Sequence, residues 1–300
     1  MPSKIPPWAW ALAGGVGAYG LWSIARGSSA LAAPRTIAAN SGKLPGTIFT
    51  IVFENKGRSQ VLGPNANAPY FKRLAQQFVD LTNYRPRLHP SLPNYIIQTS
   101  GTTHGISDDV GHVISGTENI FAQLEAANIP WRAYAESMPS ACFRGYSDEL
   151  YAVRHVPALY YESVIGRSGF CRDRVVPFVQ IWDDLPSTQI KYLFITPNMH
   201  NDMHDAPVAT GDRWLSQVLP RIMQSPGYTR GGVVFIIFDE TAGTDANIPA
   251  IMISPLARAN GTPYATLMDH RTYLATVQDL MGLQRLPGTQ GVQSLVGLLR

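Results

Sequence analysis

From Thr47 onward the chain alternates between runs with no polar face and stretches that are apolar on one face only. Thr47-Ile48-Phe49-Thr50-Ile51-Val52-Phe53 is of the first kind and rich in β-branched residues, which predicts a strand buried on both sides. Residues 68–79 carry Phe71, Leu74, Ala75 and Phe78 at helical spacing. Further helices are predicted over residues 92–100 and 118–128, and a strand over 131–135. Residues 138–184 show no regular period and read as irregular. Regularity returns with a strand over 191–196, an amphipathic helix over 211–224 carrying Trp214, Leu215, Val218 and Ile222, apolar strands over 232–238 and 248–254, and a closing helix over 272–283. Strands that are apolar throughout need cover on both faces, and alternation with helices supplies it. The pattern predicts an α/β fold with a mainly parallel central sheet. In such sheets, ligand sites gather beyond the carboxyl ends of the strands.

Composition narrows the class. With 45% hydrophobic and 15% charged residues the chain is a folded globular one, and the 26 glycines and 23 prolines imply many turns. Net charge is only +3 and there is no lysine or arginine run, so no nucleic-acid partner is indicated. No charge falls between Lys4 and Arg26, a span about as long as the roughly 20 residues a bilayer needs. A small-x-small cleavage site follows at Ala32. Residues 1–33 therefore read as a signal peptide or an uncleaved membrane anchor, residues 34–45 as a linker and residues 46–300 as one catalytic domain. The expected location is secreted, periplasmic or at the cell surface. Cys142 and Cys171 belong to no CxxC; export would join them, and otherwise they are two separate core thiols.

The residues just past the predicted strands are acidic. The first strand runs into Glu54-Asn55, the strand over 191–196 into Pro197-Asn198-Met199-His200-Asn201-Asp202-Met203-His204-Asp205, and the strand ending at Phe238 into Asp239-Glu240. Singly, each is an ordinary loop acid or helix cap. Brought together, such carboxylates repel and raise one another's pKa, and a divalent cation removes that penalty. Oxygen ligands of this kind suit Ca, Mg or Mn, or Zn in a mixed nitrogen and oxygen site.

A second signal is His89-Pro90-Ser91-Leu92-Pro93-Asn94-Tyr95. Ser91 stands at the start of a predicted helix, where Pro93 is tolerated in the first turn. Serine is a common N-cap. A helix N-terminus also favours an anion, and a serine hydroxyl beside a cation can lose its proton and attack phosphorus. Asn94 is then expected to donate to a non-bridging oxygen of the transition state.

Taken in order, Glu54-Asn55, His89 through Tyr95, Tyr134-Ala135-Glu136-Ser137-Met138-Pro139, Ile195 through Asn198 with Asn201 through Asp205, and Phe238-Asp239-Glu240 resemble the phosphoesterase family of bacterial and fungal acid phosphatases and phospholipases C. Ser91-Leu92-Pro93-Asn94 is also similar to the nucleophile turn of nucleotide pyrophosphatases/phosphodiesterases in the wider alkaline-phosphatase superfamily. The resemblance implies a three-layer α/β/α sandwich and hydrolysis of phosphoric esters through a phosphoseryl intermediate. Ser91 would be the nucleophile, and Glu54, Asn55, Asp239 and Glu240 would hold metal. Asn198 and Asp202 would serve a second ion, although asparagine replaces a usual aspartate there, so one or two ions remain open. His155 would lie near the phosphate and His270 would be a late ligand histidine; either would protonate the leaving alcohol. The two cysteines fall where the family tends to form a disulfide.

The expected activity is that of an acid phosphatase on a small phosphomonoester. A phospholipase C or phosphodiesterase acting on a phospholipid is the alternative, with membrane proximity supplied by the N-terminal segment. A sulfatase would need an arginine after the nucleophile turn, and a serine esterase a G-x-S-x-G; neither occurs. A non-catalytic, membrane-tethered binding protein on the same scaffold is the reading from a different class.

Overall fold

Alternate residues of the first strand face two different helical layers. The structure is a computed structural model that describes residues 46–145, 150–258 and 260–299; the predicted leader and linker lie outside the described residues. In β1 (Ile48–Phe53), Thr50 bonds through its hydroxyl to Tyr273 in the helix His270–Leu280, at 2.6 Å. Phe53, of opposite parity, packs edge-on against Phe71 in the helix Pro69–Gln77 and Trp214 in the helix Val208–Gln224. The helix Ser91–Ser100 packs on His270–Leu280, completing one layer, while Pro69–Gln77 and Val208–Gln224 pack together in the other. This is the three-layer α/β/α arrangement that the buried strands require.

Among the described residues eight strands form one sheet: β1, β2 (Val79–Leu81), β3 (Trp131–Ala135), β4 (Val175–Pro177), β5 (Tyr192–Thr196), β6 (Val233–Phe238), β7 (Ala250–Ile253) and β8 (Pro263–Tyr264), in the order β4-β3-β5-β1-β6-β7-β2-β8. All neighbours pair in parallel except β7, which is antiparallel to both β6 and β2. The mainly parallel sheet is as the apolar runs predict. β2, β4 and β8 are additions: two or three residues are too few to show a period. Residues 138–184 are not wholly irregular, since they hold edge strand β4 and several short helical turns. The disulfide between Cys142 and Cys171 ties this segment together beside β4, where Cys142 N donates to Val175 O. Among the described residues no helix is long and apolar enough to cross a membrane.

Register positions the site. Phe53 is level with Phe238 across β1 and β6, so Glu54 and Asp239 leave the sheet side by side. Asp239 N donates to Phe53 O, and Glu54 N to Asp202 O, drawing the β5 loop to the same tip. The stacked rings of Phe53 and Phe238, 5.3 Å between centroids, fix the two strand ends beside each other just before the acids.

Candidate active site

The adjacent tips of β1, β5 and β6 converge with the start of the helix Ser91–Ser100. Ser91 is 2% exposed, and its hydroxyl donates to Glu54 Oε2 at 3.0 Å and to Glu240 Oε1 at 3.2 Å. Asp239 accepts from Asn55 N at 3.1 Å. Asn55 takes up a left-handed backbone conformation, φ 51°, which asparagine tolerates better than most residues. The bend carries the chain across the acidic tip instead of away from it.

Burial and mutual repulsion dominate the electrostatics. Glu54 is pushed well above the usual carboxylate range, first by desolvation and then by Asp239 and Asp202. Asp202 is raised too, chiefly by burial. Glu240 is pushed up to about 8 by burial and by Asp239. His155 is lowered to about 3 by burial, with Arg154 adding to the shift, so its ring is neutral. His155 lies between Asp202 Oδ2, 3.3 Å from Nδ1, and Glu54 Oε1, 3.4 Å from Nε2. Neither Nε2 of His155 nor Oδ2 of Asp202 or of Asp239 has a hydrogen-bond partner among the described residues.

Unpaired buried acceptors are costly, roughly 1–3 kcal/mol each, and call for a partner such as a cation or a water. A divalent cation fits this cluster on donor chemistry: carboxylate oxygens, a serine hydroxyl and a neutral imidazole nitrogen. Glu54, His155 and Asp202 alone offer three ligating atoms all within 4.8 Å of one another. His155 was expected near the phosphate, and its place beside two carboxylates also suits it to hold metal.

Three expected site residues sit near the chemistry without facing it. Asn94 is fully occupied: its carbonyl oxygen accepts from the backbone N–H of Arg87 and Leu88, and its amide donates to Leu88 O and Pro90 O. It clamps the turn leading to Ser91 and has no donor left for a phosphoryl oxygen. His270 donates from Nε2 to Asp239 O at 2.6 Å, and its Nδ1 lies 3.2 Å from both Tyr84 OH and Gln98 Nε2. Burial lowers its pKa to about 4. It props the backbone of Asp239, with both ring nitrogens already engaged. Asn198 accepts from the N–H groups of His200 and Asn201 and donates to Ser137, while its own N–H bonds to Glu136. It builds the loop that delivers Asp202, whose Oδ1 in turn accepts from His204 N.

Other side chains complete the site. Tyr95, one turn beyond Ser91, donates to Glu54 Oε1 and stacks on His155 at 5.4 Å. His89 forms an ion pair with Glu240. Asp109 caps the Ser91 helix by accepting from Leu92 N at 2.9 Å, and Lys56 donates to Met203 O at 2.6 Å. The position of Tyr95 on the same helical face as Ser91 was the available signal; the others depend on distant chain segments.

The sequence model of the Phosphoesterase family matches residues 53–284. The chain is similar to a probable acid phosphatase of Kluyveromyces lactis, 29% identical over 264 residues that cover 83% of this chain and 62% of that protein. It is 28% identical to the phosphatidylinositol-3-phosphatase of Mycobacterium tuberculosis, over 79% of this chain and 77% of that protein. The chain thus spans less than two thirds of the fungal relative. Among solved structures, a Vibrio parahaemolyticus protein in the alkaline phosphatase superfamily superposes with a TM-score of 0.59 at 12% identity, covering 82% of this chain and 68% of that one. The phosphonate monoester hydrolase of Silicibacter pomeroyi gives 0.59 at 11% identity, over 85% and 76%. At such identities the likeness is one of fold, and the fold is alkaline-phosphatase-like.

Proposed function

We propose that this chain, which belongs to the phosphoesterase family, hydrolyses phosphoric monoesters by attack of Ser91 on phosphorus. The observation that supports it best is the shared hydroxyl: Ser91 Oγ touches carboxylates from both ends of the domain, Glu54 and Glu240. A hydroxyl so placed has two bases for its proton. Glu240, whose carboxyl burial pushes up to about 8, can hold it near neutral pH, and Glu54, also raised by burial, stands beside it as a second acceptor.

A divalent cation bound among Glu54, Asn55, Ser91, Asp239 and Glu240 would lower the hydroxyl pKa and offset the charge of the phosphoryl oxygens. Glu54 links that group to His155 and Asp202, which extend the ligand set. The chain's own residues do the rest. Asn94 fixes the turn so that Ser91 Oγ keeps its direction. Tyr95 holds Glu54. His155, neutral and with Nε2 free of hydrogen bonds among the described residues, offers that nitrogen to the cation. Glu240, once it has taken the Ser91 proton, returns it to the leaving alcohol. Hydrolysis of the phosphoserine by water then returns the free hydroxyl.

The relatives named acid phosphatase and phosphatidylinositol-3-phosphatase support a phosphomonoester as substrate. Turnover of nitrophenyl phosphate, with and without chelator, tests the reading. Activity abolished by chelation and restored by a divalent ion is expected. Metal binding with no turnover of any phosphoester would instead favour a non-catalytic scaffold.

A further inference from the structure

Exposed large apolar side chains are few among the described residues, and most of them share one region. Among the described residues six stand out, and four of them, Leu88, Val110, Val113 and Leu267, lie on loops around the entrance to Ser91. The entrance is located by His89. Its side chain is 62% exposed, yet its ring meets the Glu240 carboxylate that also accepts the Ser91 hydroxyl. Leu88 is its chain neighbour and is 40% exposed. Leu267, 58% exposed, lies on a loop bonded to the same segment: Arg85 N donates to Met268 O, and Arg87 pairs with Asp269 at 2.8 Å. Val110 and Val113, each 55% exposed, flank the other side, next to the Asp109 that caps the Ser91 helix.

The Leu88 and Leu267 flank is also cationic. Arg87 and Arg271 meet there on Asp269, and Arg85, exposed, lies in the backbone segment bonded to Met268 O. Two guanidinium groups on one carboxylate leave that contact net positive beside Leu88 and Leu267. On the opposite flank Asp108 is paired with His112, and Asp109 with the helix N-terminus and Arg154. Isolated exposed apolar residues need no explanation, but a group of them rimming an active site does. Apolar side chains interleaved with arginine match the boundary of an anionic lipid layer, where the rings of headgroup charge and acyl chain meet.

We propose that this rim is a docking surface for an anionic phospholipid layer, through which a lipid-borne phosphate monoester is presented to Ser91. The proposal rests on the phosphomonoesterase reading and extends it to a substrate class. It makes the membrane contact a property of the catalytic domain itself.

The two native cysteines are joined, so a single introduced thiol can be labelled selectively. In the full chain, Leu267→Cys would carry a nitrobenzoxadiazole label, and Ala127→Cys, just before the amino end of β3, would serve as the remote control. With phosphatidylcholine vesicles containing phosphatidylserine, the label at 267 should brighten and shift to the blue, while that at 127 stays unchanged. An unchanged spectrum at 267 overturns the proposal, even if the chain sediments with the vesicles by other means. As a second readout, the combined variant Arg85→Glu, Val113→Ser, Leu267→Ser should keep its turnover of nitrophenyl phosphate. Its hydrolysis of phosphatidic acid in vesicles should fall by about tenfold or more, the scale expected for reversing one charge at an anionic surface. Equal vesicle turnover in variant and parent overturns the proposal. A parent inactive on both substrates refutes the hydrolase reading, and the label at 267 still decides the docking.

Discussion

Tyr95 donates its phenolic hydroxyl to one oxygen of Glu54 while Ser91, one turn earlier on the same helix, donates to the other. A single carboxylate is thereby fixed from both sides by one rigid element. Its charge is held level with the tip of β6, where Asp239 emerges. The arrangement couples the direction of the Ser91 hydroxyl to the direction of the acid beside it.

Tyr95→Phe removes one of those restraints and leaves Ser91 in place. Losing an outer partner of a metal ligand typically weakens metal binding by about 10–100-fold. Titration of metal-stripped protein with a divalent ion should show a loss of that size, and saturating metal should recover most of the kcat. A kcat that stays low at saturating metal would assign Tyr95 a direct part in the chemistry.

Asn94→Ala should cost stability as well as rate. The substitution unpairs buried backbone groups of the turn from Arg87 to Pro90, each worth about 1–3 kcal/mol. Denaturant unfolding should detect a clear loss. If Asn94 served only to contact a phosphoryl oxygen, kcat would drop with stability unchanged.

Replacement of Glu240 by glutamine should depend on the leaving group. A nitrophenolate departs with little protonation, while an alkoxide needs a proton. The variant should lose far more activity on glycerol phosphate than on nitrophenyl phosphate. Equal losses on both would limit Glu240 to holding metal or taking the Ser91 proton.

The metal-free protein should gain stability as pH falls from about 8 to 6.5. Glu240, at about 8, and Glu54 and Asp202, also raised, take up protons in the folded state that they would not hold when unfolded. Their contribution is present at low pH and is lost as pH rises through the folded pKa. Below about 6.5 the sign of a second contribution opposes it: His155 and His270, held at about 3 and about 4, stay neutral when folded but protonate when unfolded. Thermal unfolding in chelator should therefore show Tm rising by roughly 2 °C or more between the two upper pH values and then levelling or falling. Saturating metal should flatten the upper limb. A chelated protein with no slope there would mean that the carboxylates are not crowded.

The sheet and the acidic tips are legible in the sequence because both follow from local pattern. β1, β3, β5, β6 and β7 are apolar runs, and acids follow directly after β1 and β6 and in the loop six residues past β5. β2 and β8 are too short for a pattern and depend on pairing with β7 and with each other. What the sequence does not reveal is which polar atoms are already satisfied. Asn94 and His270 are chemically apt for a phosphatase site, yet their partners are the turn just before Ser91 in one case and Tyr84, Gln98 and Asp239 in the other. Only the tertiary structure shows that these groups support the site from behind. Tyr95 is the reverse case: an aromatic residue in a helix suggests packing, and its contact with Glu54 appears only when the helix is laid against β1.

The nucleophilic role of Ser91 is open to direct trial. Rapid acid quenching during turnover of a phosphate monoester, followed by proteolysis and mass spectrometry, should find phosphate on the peptide containing Ser91, and Ser91→Ala should abolish both the adduct and turnover with the fold intact. Steady turnover by Ser91→Ala, or a phosphoryl group trapped on another residue, would contradict the account.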